Sequence, residues 1–196
     1  AGHVSNVPWD RRRVGNVPHA RRILAMPGYV HVYTGDGKGK TTAALGLALR
    51  AAGAGWRVFV GQFVKGTPTS EIAALARFAD LVTVRQFGRR SFVDREPEAT
   101  DLELAQLGLV ECKEALISGD YAMVVLDEAN VAAALKLLAV DDLVDLIDAR
   151  PERVELVLTG RWAHQRVIQR ADLVTEMREV KHYYRSGVLA RTGIEA

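Results

Sequence analysis

Tyr33-Thr34-Gly35-Asp36-Gly37-Lys38-Gly39-Lys40-Thr41-Thr42 is a glycine-rich loop ending in Gly-Lys-Thr, between an apolar strand pattern (29–34) and a helical run (41–52). In that setting successive backbone N–H groups and a helix N-terminus converge on one spot and cradle a polyphosphate. Lys40 adds a point charge, and the Thr41 hydroxyl is available to Mg²⁺ (or Mn²⁺). The loop departs from the pattern G-x-x-x-x-G-K-[ST] at one position, because Thr34 stands where the first glycine would be. Gly35 and Gly37 still supply a flexible backbone. A glycine-rich turn capping a core helix is the competing reading; the strand–loop–helix context favours a nucleotide site.

Outward from the loop, apolar runs and amphipathic stretches alternate. Strands are expected at 57–64, 81–87, 121–126, 154–159 and 173–180, and helices at 69–79, 100–118, 131–138, 141–149 and 163–169. Continuous Val/Ile/Leu strands separated by helices indicate a mainly parallel sheet covered on both faces. The expected fold is a single α/β domain of the P-loop NTPase-like (RecA-like) kind over 28–196, preceded by a basic leader, 1–27.

The net charge of +2 over 196 residues is uneven. Residues 1–28 hold Arg11, Arg12, Arg13, Arg21 and Arg22 against Asp10 alone, or +4, which leaves −2 for the remainder. A body of that sign offers no general polyanion surface, so nucleic acid is not expected as a partner. No apolar run approaches the roughly 20 residues that span a bilayer, and the arginines precede no apolar signal stretch. Cys112, the only cysteine, sits in a helical pattern and reads as a buried structural thiol. A cytoplasmic protein without membrane contact is expected.

Ligands of parallel sheets bind beyond the carboxyl ends of the strands, so residues after each strand are the site candidates. Met123-Val124-Val125-Leu126-Asp127-Glu128 runs four apolar residues into two carboxylates, one to hold Mg²⁺ directly or through water and one free for another role. Thr159-Gly160-Arg161 places a cation that can reach the phosphates, whereas Arg166 and Arg170, at helical spacing, read as a solvated face. Lys65, in Gln62-Phe63-Val64-Lys65-Gly66, is either a phosphate contact or an ordinary exposed lysine. The segment Phe87-Gly88-Arg89-Arg90-Ser91-Phe92-Val93 suits a bulky organic substrate, or equally a loop pinned to the core. His182 lies at a strand end, within reach of a nucleotide or else a structural residue.

Taken together, the stretches 28–53, 58–66, 123–128, 149–151, 154–161 and 171–182, with Gly187 and Gly193-Ile194, resemble the P-loop type of ATP:corrinoid adenosyltransferase. Thr before the first loop glycine is then a family trait. The resemblance implies that the Co(I) centre of a reduced corrinoid attacks the 5′-carbon of ATP and releases triphosphate, in adenosylcobalamin biosynthesis or corrinoid salvage. It implies an ATP-binding set of Gly35, Asp36, Gly37, Lys38, Gly39, Lys40, Thr41, Thr42, Arg50, Arg161 and His182. Lys40, Thr41 and Glu128 are the implied catalytic residues, with Thr41, Asp127 and Glu128 at the metal. Phe87 and Phe92 are the implied corrinoid contacts, which exclude water from cobalt. An electron-donating flavoprotein reductase and a homodimer are the implied partners. The leader reads from its composition as a solvated or loosely docked arm and carries no matching motif, while in the family an N-terminal segment can fold over the active site. A Phe-x-Trp pair of the family is incomplete after the third strand, where Phe92 stands without the Trp. Two rivals remain: a P-loop ATPase using Asp127 and Glu128 for hydrolysis, and a non-catalytic chaperone delivering corrinoid or nucleotide.

Overall fold

Strands without a polar face must be covered on both sides, and parallel strands need a crossover between each pair. The computed structural model, which describes residues 26–67, 69–89 and 97–195, meets both demands. Its strands are β1 (Val30–Thr34), β2 (Val58–Phe63), β3 (Val82–Phe87), β4 (Met123–Asp127), β5 (Glu155–Thr159) and β6 (Leu173–Glu176). All pair in parallel, in the order β3-β2-β4-β5-β1-β6. Every residue of β2 and β4 is buried. The helices are α1 (Lys40–Gly53), α2 (Ser70–Leu75), α3 (Ala99–Ile117), α4 (Ala129–Ala134), α5 (Val140–Asp148) and α6 (Gln165–Ile168).

The pleat divides the core into two layers. On one face Ala44, Ala48, Ala51 and Ala52 of α1 lie against Val58, Val60, Val125 and Val157. On the other, Cys112 and Leu116 of α3, Leu143 and Leu146 of α5 and Val167 of α6 meet Val32, Val124, Leu126, Leu156 and Leu158. Cys112 is buried, and burial pushes its thiol up, as expected of an inert core cysteine. The sheet with helices on both faces is therefore the architecture expected.

Three elements differ from the sequence pattern. The helix at 69–79 is α2 followed by a 3₁₀ turn, Ala76–Phe78. The helix expected at 131–138 starts two residues earlier and stops at Ala134, before Lys136 takes φ 60°. Strand β6 ends at Glu176 rather than 180, because Met177 leaves the sheet to cross the glycine loop: Met177 N donates to Thr34 O (2.8 Å) and Gly37 N donates to Met177 O (2.6 Å). Residues 1–25 of the leader lie outside the described residues. Among the described residues no helix is long and apolar enough to cross a membrane.

Candidate active site

With all strands parallel, every strand end opens onto one rim. The glycine loop leaves β1 there and enters α1, whose first residue is Lys40. Gly35 has φ 92° and Gly39 φ 121°, values an L side chain rarely adopts. Close approach adds a second demand. A Cβ on Gly35 would sit 2.4 Å from Met177 O, and one on Gly37 would sit 2.8 Å from the Arg178 carbonyl carbon. Thr34 in place of glycine has its own explanation: its Oγ1 accepts the Ala163 N–H (3.3 Å), tying the loop entry to the chain after β5.

Lys40 is buried and donates to Gly35 O and Gly37 O, both at 2.7 Å. Burial pulls its pKa below the ordinary lysine value, with Glu128 opposing. Among the described residues its hydrogen-bond partners are these two loop carbonyls, neutral acceptors that an anionic oxygen could replace. Lys38 instead reaches outward to Ile194 O (2.8 Å), linking the loop to the C-terminal segment. Arg161 Nη2 donates to Asp36 O (3.4 Å). Asp36 and Arg161 share a cleft of about 440 Å³ with Glu176, Arg178, Glu179 and Arg185.

Asp127, at the end of β4, is fully buried and is the hub of the rim. Its Oδ1 accepts from Thr41 Oγ1 (2.9 Å) and Thr159 Oγ1 (2.7 Å). Its Oδ2 accepts from Gln62 Nε2 (3.1 Å) and Lys65 Nζ (3.1 Å). Gln86 Nε2 donates to Gln62 Oε1 (3.2 Å), which fixes the orientation of the Gln62 amide. The Glu128 N–H donates to Thr159 Oγ1 (2.9 Å). Glu128 is the less engaged carboxylate of the pair. Burial and then the neighbouring Asp127 raise its pKa, against the lowering effect of Lys65.

Val64 and Glu128 both have φ 62°. Such a conformation costs on the order of 1–3 kcal/mol in a residue with a Cβ, and it is least tolerable for β-branched Val64. Both kinks lie directly after strand ends and turn Lys65 and Glu128 towards the same point. Thr41 and the two carboxylates supply hard oxygen donors around that point, and an ammonium already stands there. This is the donor chemistry of Mg²⁺ or Mn²⁺, so the residues fit such an ion. Among the described residues, His, Cys, Asp and Glu form no group of three that could hold a metal. A metal here would thus take further ligands from phosphates and water.

The ATP:corrinoid adenosyltransferase family (BtuR/CobO/CobP) matches residues 26–196. The chain belongs to this family. It is 37% identical over 169 residues to a corrinoid adenosyltransferase of Pseudomonas aeruginosa, covering 86% of this chain and 83% of that protein. A corrinoid adenosyltransferase of Escherichia coli K12 is 36% identical, with 86% and 85% covered. Corrinoid adenosyltransferase CobA of Salmonella typhimurium is 38% identical over 171 residues, with 86% and 85% covered.

Within this family member, the structure brings Gly35–Lys40, Thr41, Asp127, Glu128 and Arg161 to one rim, with Thr42 following in the first turn of α1. Two expected residues are not brought there. Arg50 lies in the last turn of α1, ten residues beyond Lys40, so a rise of about 1.5 Å per residue puts it roughly 15 Å along the helix from the loop. Phe87 is a core residue, 4% exposed and packed on Phe63 with ring centroids 5.8 Å apart. It is therefore not a corrinoid contact: β3 is covered by α3, and the Phe87 ring fills the space over Gly108. Phe92 lies outside the described residues. His182 precedes a 3₁₀ turn (Tyr183–Ser186), and its Nδ1 accepts the Tyr184 N–H (3.1 Å). Arg166 and Arg170 pair with Asp141 and Asp148 on the surface.

Gln62, Thr159 and Asn130 stand in the strand-end stretches read from the sequence without a role of their own. The signal for the first two is a polar residue ending an otherwise apolar strand. Asn130 is buried with both side-chain polar atoms unpartnered, in the turn of α4 next to Gly160.

Proposed function

We propose that this protein transfers the 5′-deoxyadenosyl group of ATP to the Co(I) centre of a reduced corrinoid. The cobalt electron pair forms the Co–C bond, and the pair of the breaking C5′–O bond leaves with triphosphate. The observation that carries the reading is the Thr41–Asp127 hydrogen bond, which locks the loop to the end of β4 and leaves the hydroxyl oxygen accepting from Lys65, whose ammonium also lies 3.8 Å from Glu128. In this assignment the loop amides and Lys40 hold the triphosphate and receive the charge that grows as it departs. Asp127 orients Thr41, and Glu128 supplies the acidic partner. Thr41, Asp127 and Glu128 would hold Mg²⁺, which would offset polyphosphate charge. Arg161 takes the outer phosphates from across the cleft.

The same reading makes the protein a cytoplasmic transferase, acting as a homodimer and supplied with Co(I) by an electron-donating flavoprotein reductase. The match to a family defined by ATP:corrinoid chemistry supports the substrate pair. The test is an anaerobic assay with ATP, Mg²⁺ and chemically reduced corrinoid, followed by visible spectroscopy. Loss of the Co(I) spectrum with gain of a light-sensitive alkylcobalt species, and release of triphosphate, is the expected result. Release of phosphate from ATP alone, with no spectral change for several corrinoids, would replace the reading with ATP hydrolysis at Asp127 and Glu128.

A further inference from the structure

Lysines that follow strands are commonly solvated, but Lys65 is not placed like one. Its ammonium lies 3.1 Å from Asp127 Oδ2, 3.3 Å from Thr41 Oγ1 and 3.8 Å from Glu128 Oε1. Only a quarter of its side chain is exposed. With a carboxylate oxygen of each of Asp127 and Glu128 within 3.8 Å, its ammonium is held as a cation among oxygen acceptors.

We propose that Lys65 is an exchangeable internal counter-ion: it occupies the metal position of the nucleotide-free protein and yields it only to metal that arrives on a polyphosphate. The inference rests on the metal–nucleotide reading of this site. Three oxygen donors that fit a divalent ion surround a lysine ammonium instead. Two carboxylates and one ammonium leave a net charge of −1 at the centre. A free divalent ion must displace the ammonium from Asp127 and then coexist with it at close range, with no new anion to take the lysine. A metal–polyphosphate complex brings that anion. Thr41 follows Lys40 directly at the mouth of the cradle, so an ammonium within hydrogen-bond distance of Thr41 Oγ1 reaches a bound phosphate by rotating its own side chain.

The backbone around Lys65 is built to keep the swap within the side chain. Val64 holds its left-handed kink, and its N–H donates to Phe87 O (3.2 Å). On the other side Gly66 lies against the backbone of Gly88 and Arg89, where a Cβ would come within 2.0 Å of Gly88 O. Four methylenes on a fixed root move; the loop does not.

The test measures free Mn²⁺ by electron paramagnetic resonance during titration of the whole protein, with and without ATP and with no corrinoid. Without nucleotide, Lys65→Met and Lys65→Gln should bind Mn²⁺ at least tenfold more tightly than wild type. Lys65→Arg, which keeps the charge, should stay near wild type. With ATP present, wild type should take up Mn²⁺ as well as either neutral variant or better. Unchanged nucleotide-free affinity in both neutral variants, with normal ATP-dependent uptake by wild type, would overturn the counter-ion role and leave the metal–nucleotide reading standing. Absence of ATP-dependent Mn²⁺ uptake by wild type would overturn both. Thermal unfolding of each variant separates a folding defect from a binding change.

Discussion

Lys40 and Asp127 are buried charges stabilised in opposite ways. Asp127 accepts four hydrogen bonds from four separate side chains, whereas Lys40 donates to two loop carbonyls and, in the proposed function, gives them up for a phosphate. Lys40→Ala should therefore reduce adenosyl transfer by about a hundredfold or more, as for loss of one preorganised donor to a developing oxyanion; single-turnover spectroscopy of alkylcobalt formation checks it. Glu128 gives a pH signature. Because burial and Asp127 raise its pKa, ionising it opposes folding. Its contribution is most favourable below the ordinary glutamate range and is lost as pH rises through the raised value. In metal-free protein, Glu128→Gln should raise Tm over wild type at neutral pH, and the difference should close as pH falls below that range. A Tm difference constant across that range would contradict the assignment.

At the scale of elements, backbone contacts set the site. The chain after β6 crosses the glycine loop, and the chain after β2 presses on the chain after β3. Gly66→Ala has no room: its Cβ would meet Gly88 O, which is main chain and cannot rotate away. Overpacking of that kind costs roughly 1–3 kcal/mol, or a fall in Tm of about 2–12 °C for a chain of this size. Calorimetry on the variant gives the value, and a change under 1 °C would show that these two segments separate freely. Arg89 adds a clamp beside them, with Nε and Nη2 on Asp101 and Nη1 on Glu98. The clamp ties β3's exit to the start of α3.

For the whole molecule, burial predicts how stability is distributed. Strands β2 and β4 are buried along their whole length, while every residue of β6 is exposed at the sheet edge. Amide exchange should be slowest in β2, β4 and β5 and fastest among the strands in β6. Binding of ATP with Mg²⁺ should slow exchange in Gly35–Lys40 and in Met177–Arg178, since the crossing segment rests on the loop. Equal protection of β6 and β4 would show that the edge is covered in solution, as pairing of two copies through that edge would do.

The periodic runs of Val, Ile and Leu, the glycine spacing before Lys40 and the apolar run into Asp127 and Glu128 were legible because each is a local pattern. Strand count, the parallel class and the two halves of the proposed nucleotide site follow from patterns a few residues long. Strand order does not. It puts β4 beside β2 and so joins Gln62 and Lys65 to Asp127 across 65 and 62 residues of chain, and Thr41 to Asp127 across 86. Phe87 and Arg50 mislead for the same reason: an aromatic near a strand end and an arginine on the loop's helix look like site residues until burial and helix rise place them. Whether Lys65 is a surface lysine or a cation within the site is decided by which strand lies next to its own. Packing energy summed over the whole sheet makes that choice, and no segment carries it alone.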